Sequence, residues 1–218
     1  MIIDFNIIIE YLPYLLKGLF ITLQIAIYAC FIGFILGTSL AFLQKSISPL
    51  FRLITTSYIF IMRGTPMLIQ IILAHSFLPY FGIHIAAFWI AVIAIGLNSA
   101  AYISQIIRSG IVSIGTGQIE AAQVLGFSRM ATIRYIILPQ ALQITLPALG
   151  NELVTLVKDS ALASLIGVAE LTKQANFIKS RTHDALTVYF AVAFIYLIIT
   201  SLISLCITHY EKKVKPHA

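Results

Sequence analysis

Across 218 residues the chain is 60% hydrophobic and 10% charged, with a mean hydropathy of +0.98. Soluble globular domains carry about 25% charged residues, so this composition excludes a soluble enzyme and predicts an all-α integral membrane protein. The net charge of +6 comes from basic residues spread among loops, which argues against nucleic-acid binding and for determinants of membrane topology.

Residues 1–18 hold Asp4, Glu10, Pro13 and Lys17 among apolar neighbours and read as an interfacial entry to the membrane. The first span covers about 19–43. It is too long for a signal-peptide core and no cleavage-like site follows, so it is expected to be retained. Gly33 and Gly37 form a G-x-x-x-G pair suited to close helix packing. A short polar loop, Gln44–Arg52, leads to a second hydrophobic stretch at 53–80. Arg63-Gly64-Thr65-Pro66 interrupts it. Pro66 has no N–H and its ring clashes with the preceding turn, while Gly64 loosens the same turn. A kinked or locally unwound helix is predicted there, an arrangement in which transporters place binding sites.

The third span covers 85–107 and ends before Arg108. A polar, amphipathic segment at 115–140 follows. The fourth span, 144–168, is unusually polar, a loop or short helix covers 169–184, the fifth span covers 185–210, and 211–218 is a basic tail. Five spans put the termini on opposite sides. With the N-terminus outside, the inner loops and tail hold eight Lys and Arg: 45, 52, 108, 129, 134, 212, 213 and 215. The outer segments hold four, Lys17, Lys173, Lys179 and Arg181, so the charge bias favours an outside N-terminus and a cytoplasmic C-terminus. Three of those four lie in 169–184, against the bias.

An ionisable group within the bilayer costs at least about 2.5–3.5 kcal/mol, so it is expected to face a cavity or a partner. Arg63, Glu152, Lys158 and Asp159 are the candidates. Glu152, Thr155 and Asp159 share a helical face at i, i+3 and i+7, and the third span offers Asn98, Tyr102 and Gln105. Together these could line a cavity for a zwitterion. The acids would take an ammonium or guanidinium, while Arg63 and the freed backbone near Gly64 and Thr65 would take a carboxylate. The residues alone leave open a second arrangement, in which Arg63 or Lys158 pairs structurally with Glu152 or Asp159. Cys30 and Cys206 lie in apolar segments and the five histidines show no metal spacing, so no disulfide framework, metal or other cofactor is expected. No G-x-x-x-x-G-K-[ST] stretch occurs, so the chain supplies no P-loop and is not expected to hydrolyse ATP itself.

Gln118–Pro139 reads as a short helix opened by Glu120-Ala121-Ala122, a break at Gly126, a second helix over Arg129–Ile137 capped by Ser128, and a change of direction at Pro139. Ala121 and Ala122 would let another surface approach, and Glu120, Arg129 and Arg134 could pair across it. On the residues alone this is equally a solvated loop between spans.

The spacing of Glu120, Ala121, Ala122, Gly126, Ile136, Leu138 and Pro139 resembles the EAA loop of ABC importer permeases, with no departure at a defining position. RGTP at 63–66, NSAAY at 98–102, IRSGI at 107–111, LPALGNE at 146–152 and KDSALASLIGVAEL at 158–171 resemble the polar amino-acid permease family over about residues 10–210. Ser160-Ala161 departs from the Thr-Ser common in that family. The resemblance implies a type I importer permease whose loop 115–140 is a cytoplasmic coupling helix, with Glu120, Ala121, Ala122, Gly126 and Arg129 facing an ATP-hydrolysing subunit dimer. It also implies an extracytoplasmic amino-acid-binding protein, a second or paralogous permease, an amino-acid substrate, and a place in the bacterial cytoplasmic membrane, among lipid. The substrate residues expected are Arg63, Gly64, Thr65, Asn98, Ser99, Tyr102, Glu152, Thr155 and Asp159. The expected function is alternating-access import of polar amino acids driven by the partner ATPase. The rival readings are an ion-coupled secondary amino-acid transporter and a membrane anchor for a peripheral enzyme.

Overall fold

The computed structural model describes residues 3–44 and 48–214. Asp4 caps the first helix by accepting the Asn6 N–H at 2.9 Å, and α1 then runs unbroken over Phe5–Leu43, 39 residues, through Pro13. At 1.5 Å per residue it is about 58 Å long, roughly twice a hydrocarbon core of about 30 Å. The expected interfacial segment is therefore no separate element but the first turns of this helix. Lys45, one of the inner-side basic residues, lies outside the described residues.

Pro49 opens α2, Pro49–Gly64, so Arg52 sits in a helix rather than in a loop. Thr65 and Pro66 are both extended, α3 restarts at Met67–Phe77, and the two axes are bent by 108°. The predicted kink is thus a full break. A 3-10 turn, Leu78–Phe81, closes on Gly82, and α4 covers Ala87–Val112, five residues beyond the expected end.

Among the described residues three helices, α1, α4 and α9 (Ala185–Val214), are long and apolar enough to cross a membrane, and a fourth crossing is reached if α2 and α3 count as one broken span. The remaining crossing expected from sequence corresponds to α7, Leu138–Asp159, which packs among these helices but is more polar. It begins inside the expected coupling loop and ends at Asp159, where a 3-10 segment, Ser160–Ile166, continues the chain. The stretch 169–184 contains α8, Leu171–Thr182, and the helix α9 extends through 211–214, leaving Lys215 and the rest of the tail outside the described residues.

Small residues set the packing. A Cβ on Gly33 would sit 3.0 Å from Ser99 Oγ, and one on Gly37 would sit 2.8 Å from the Ala100 carbonyl. From the other side, a Cβ on Gly96 would meet Ile32 at 2.9 Å. The G-x-x-x-G pair therefore lets α1 and α4 lie backbone to backbone, and since lipid supplies no hydrophobic drive between helices, this van der Waals contact holds them together. The pairings 33 with 99 and 37 with 103 make α1 and α4 parallel. Ser99 with Glu152 and Gly110 with Thr145 make α7 antiparallel to α4. Gly150 against Ile207 turns α9 back again, and Asp4 N–H donates to Thr187 Oγ1 at 3.0 Å, so α1 and α9 start at the same end.

Glu170 pins that end of the bundle. It is fully buried, caps α8 through the N–H groups of Thr172 and Lys173 at 2.9 and 2.7 Å, and accepts from Thr22 and Tyr196 at 3.4 and 3.2 Å. Four donors from three helices stand in for a counter-charge.

Candidate functional site

The break at Thr65-Pro66 exposes a carbonyl that a continuous helix would satisfy. Pro66 has no N–H to give to Met62, four residues earlier. Two side-chain amides take its place: Gln70 Nε2 donates to the Met62 carbonyl at 2.9 Å and Asn98 Nδ2 does so at 3.0 Å. Asn98 Nδ2 also donates to Gln70 Oε1 at 3.0 Å, and Gln70 reaches Thr65 Oγ1 at 2.8 Å. The broken turn is thereby locked against α4.

A cavity of about 620 Å³ opens beside this lock. It is lined by Arg63, Gly64 and Thr65 from the end of α2, Asn98 and Tyr102 from α4, and Glu152, Thr155 and Asp159 from α7. Eight of the nine substrate residues expected from the sequence meet there. The exception is Ser99. One step along α4 from Asn98, it turns away toward α1, is 1% exposed, and donates to Glu152 Oε1 at 2.7 Å. Its part is to hold that carboxylate. Asn98 also differs from expectation, since its amide hydrogens are engaged by the lock and only its carbonyl oxygen remains for a ligand. Pro66 and Met67 complete the wall. Sequence reasoning passed over Gln70, although a lone amide in an apolar run was the signal.

Arg63 stacks its guanidinium over the Tyr102 ring at 5.3 Å from the centroid. Among the described residues no salt bridge joins Arg63 or Lys158 to Glu152 or Asp159, and Lys158 is exposed outside the cavity wall. Thr155 uses its hydroxyl hydrogen on the Asn151 carbonyl at 3.1 Å, so it presents lone pairs. The cavity thus holds two carboxyl groups and one guanidinium not joined to them. Gln105 does not reach it; with Arg63, Gln44 and Arg108 it lines a neighbouring cavity of about 380 Å³.

At the far end of the bundle from the N-terminus, α5 covers Thr116–Val124. Gly126 follows at φ +76°, with its N–H on the Gln123 carbonyl and the Phe127 N–H on the Ala122 carbonyl, both at 3.0 Å. This paired closure requires a left-handed residue where glycine costs least, so the interval from Ala122 to Gly126 is that of a helix and its stop. Ser128 caps α6, Arg129–Thr132, by accepting the Ala131 N–H at 3.3 Å. The chain then passes through a π-helical turn, Ile133–Ile137, into α7. Pro139 therefore does not end the helix; the wider turn before it relieves the ring's clash with the preceding carbonyl. Glu120, Ala121 and Arg129 are exposed, whereas Ala122 is 1% exposed and packs inward, so it cannot offer the surface expected of it.

Residues 29–216 match the family described as binding-protein-dependent transport system inner membrane component. The probable amino-acid ABC transporter permease protein YckA of Bacillus subtilis (strain 168) is 42% identical over 205 residues, covering 94% of this chain and 91% of its own. The arginine transport system permease protein ArtQ of the same organism is 37% identical over 214 residues, 98% of each chain. A solved crystal structure of an amino acid ABC transporter with histidines superposes with a TM-score of 0.93 at 39% identity, over 98% of this chain and 100% of that one. The break after α2, the cavity and the capped knob thus lie in a chain that belongs to the family of inner-membrane components of binding-protein-dependent transport systems, among its amino-acid ABC transporter permeases.

Proposed function

We propose that the 620 Å³ cavity is the transport site for a polar amino acid, with Arg63 holding the α-carboxylate and Glu152 and Asp159 holding the α-ammonium and a cationic side chain. The observation that carries this reading is the separation of one guanidinium from two carboxyl groups across a single cavity, without salt bridges between them. Charges left unpaired within a membrane protein mark a ligand path. The wall carries two acids and one cation, with Lys158 exposed beyond it, a lining that suits an amino acid with a cationic side chain. Gly64 contributes the freed backbone, Thr65 a hydroxyl oxygen whose hydrogen is on the Ile61 carbonyl at 2.8 Å, Asn98 a carbonyl oxygen, Tyr102 its ring and Thr155 its lone pairs. Ser99 acts through Glu152.

In this reading the knob at 116–137 docks on a dimer of ATP-hydrolysing subunits, with Glu120, Ala121 and Arg129 on the contact surface. Gly126 fixes the turn and Ala122 the base. A second permease, identical or paralogous, completes the pathway, and an extracytoplasmic binding protein delivers the amino acid. The N-terminus lies outside and the C-terminus inside, which puts the knob in the cytoplasm. Closure of the ATPase dimer moves the knob, and α7, continuous with it, carries Glu152, Thr155 and Asp159 past α4. The test is uptake of radiolabelled L-arginine by proteoliposomes holding permease, ATPase and binding protein. Uptake that requires ATP and all three components supports the reading. Uptake by the permease alone under a proton or sodium gradient would instead support ion-coupled secondary transport.

A further inference from the structure

Beside the first cavity lies the second, of about 380 Å³, and Arg63 and Gly64 line both. The contents are opposite in sign. The first holds Glu152 and Asp159. The second holds Arg108, Gln44 and Gln105 with Arg63, and among the described residues no acid lines it. Gln44 follows the last turn of α1 and Arg108 lies in the last turns of α4, so this cavity leads from the break in α2 toward the end of the bundle that carries the knob. One guanidinium nitrogen of Arg108 donates to Gln44 Oε1 at 3.2 Å, which orients the group and leaves its other N–H donors for an oxyanion.

We infer that the second cavity is a way station for the substrate's carboxylate, so that an amino acid leaves the transport site carboxylate first, passing from Arg63 to Arg108. The inference rests on the transport reading of the first cavity. A carboxylate leaving Arg63 without a second donor set would have to shed a charge-assisted partner before meeting bulk water. Arg108, Gln44 and Gln105 supply replacement donors on the way. Because the two cavities share Arg63 and Gly64, an extended amino acid can keep a cationic end at Glu152 and Asp159 while its carboxylate changes partner. An oxyanion at this end of the bundle could also come from a phospholipid headgroup. Continuity with the first cavity through Arg63 favours the substrate, and the test separates the two.

The complete importer is reconstituted with Arg108→Gln or Arg108→Lys in phosphatidylcholine vesicles and in vesicles also containing phosphatidylglycerol. Equilibrium binding of L-arginine to the permease–ATPase complex and the turnover of L-arginine uptake are measured. Arg108→Gln is expected to lower turnover roughly ten- to a hundredfold, the value of one charge-assisted hydrogen bond, with binding unchanged. Arg108→Lys retains most of the rate, and both results hold in both vesicles. Unchanged turnover in Arg108→Gln overturns the inference. So does a parallel loss of binding and membrane abundance that Arg108→Lys shares, which marks a structural role, and so does an effect confined to vesicles with phosphatidylglycerol, which marks a lipid site. Failure of the unsubstituted importer to move L-arginine defeats the transport reading itself, and the way station with it.

Discussion

Asn98 Nδ2 donates to the Met62 carbonyl at 3.0 Å, across 36 residues of sequence. That carbonyl is the acceptor left over by Pro66, so one proline between α2 and α3 and one asparagine on α4 form a single device. Asn98→Leu should lower thermal stability in detergent by about 1 kcal/mol, because Gln70 still donates to the same carbonyl. Adding Pro66→Ala restores a backbone N–H to that turn and should recover part of the loss. A double variant less stable than either single change would contradict this account.

Asp159 makes no salt bridge among the described residues, which separates its two sequence-level roles. Asp159→Asn should reach the membrane at near-normal abundance while uptake of a cationic amino acid falls by about 1.5–3 kcal/mol in apparent affinity. Neither Arg63→Gln nor Lys158→Gln should rescue it. Poor insertion of Asp159→Asn, corrected by either second change, would mean a structural pair instead.

The α1–α4 seam gives a stability test that does not depend on transport. Gly37→Val would force a side chain against the Ala100 carbonyl and Ile103, and should cost about 1–3 kcal/mol or prevent accumulation. Gly117, where an added Cβ would meet nothing within 4 Å, should accept alanine without loss. Equal behaviour of the two variants in a thermal-shift assay would refute close packing as the seam's main support.

At the knob, Ala121 is exposed and Ala122 buried, so cross-linking to the ATPase should succeed from Ala121→Cys and fail from Ala122→Cys. Gly126→Asp should leave the permease in the membrane but uncouple ATP hydrolysis from substrate. Its left-handed backbone disfavours a side chain, and the added charge enters the proposed interface. Full substrate-stimulated hydrolysis in Gly126→Asp would remove the docking role.

Orientation can be read by thiol labelling in a background lacking Cys30 and Cys206. Tyr80, 87% exposed in the turn after α3, and Ser113, at the end of α4, lie toward opposite ends of the bundle. Tyr80→Cys should react with an impermeant reagent from outside only, and Ser113→Cys from the cytoplasmic side only. The reverse pattern would invert the proposed topology.

The class of molecule and the family were legible in the residues alone, because apolar length and the spacing of Glu120, Ala121, Ala122 and Gly126 are local properties. So was the position of the break, since a proline acts on its own turn. That 152, 155 and 159 line one cavity was readable because helical periodicity puts them on one face, whereas Gln105, grouped with them from the sequence, lines the neighbouring cavity. Relations between helices were out of reach. Whether Arg63 meets an acid or a tyrosine ring depends on where α2 ends relative to α4 and α7. That Ser99 donates to Glu152 and lies off the cavity wall follows from which side of α4 packs on Gly33. Ala122 lost its expected surface because the chain folds back at Gly126 and covers it. The size of the 108° bend at the break was likewise decided between helices, where Asn98 on α4 donates to the Met62 carbonyl from 36 residues away.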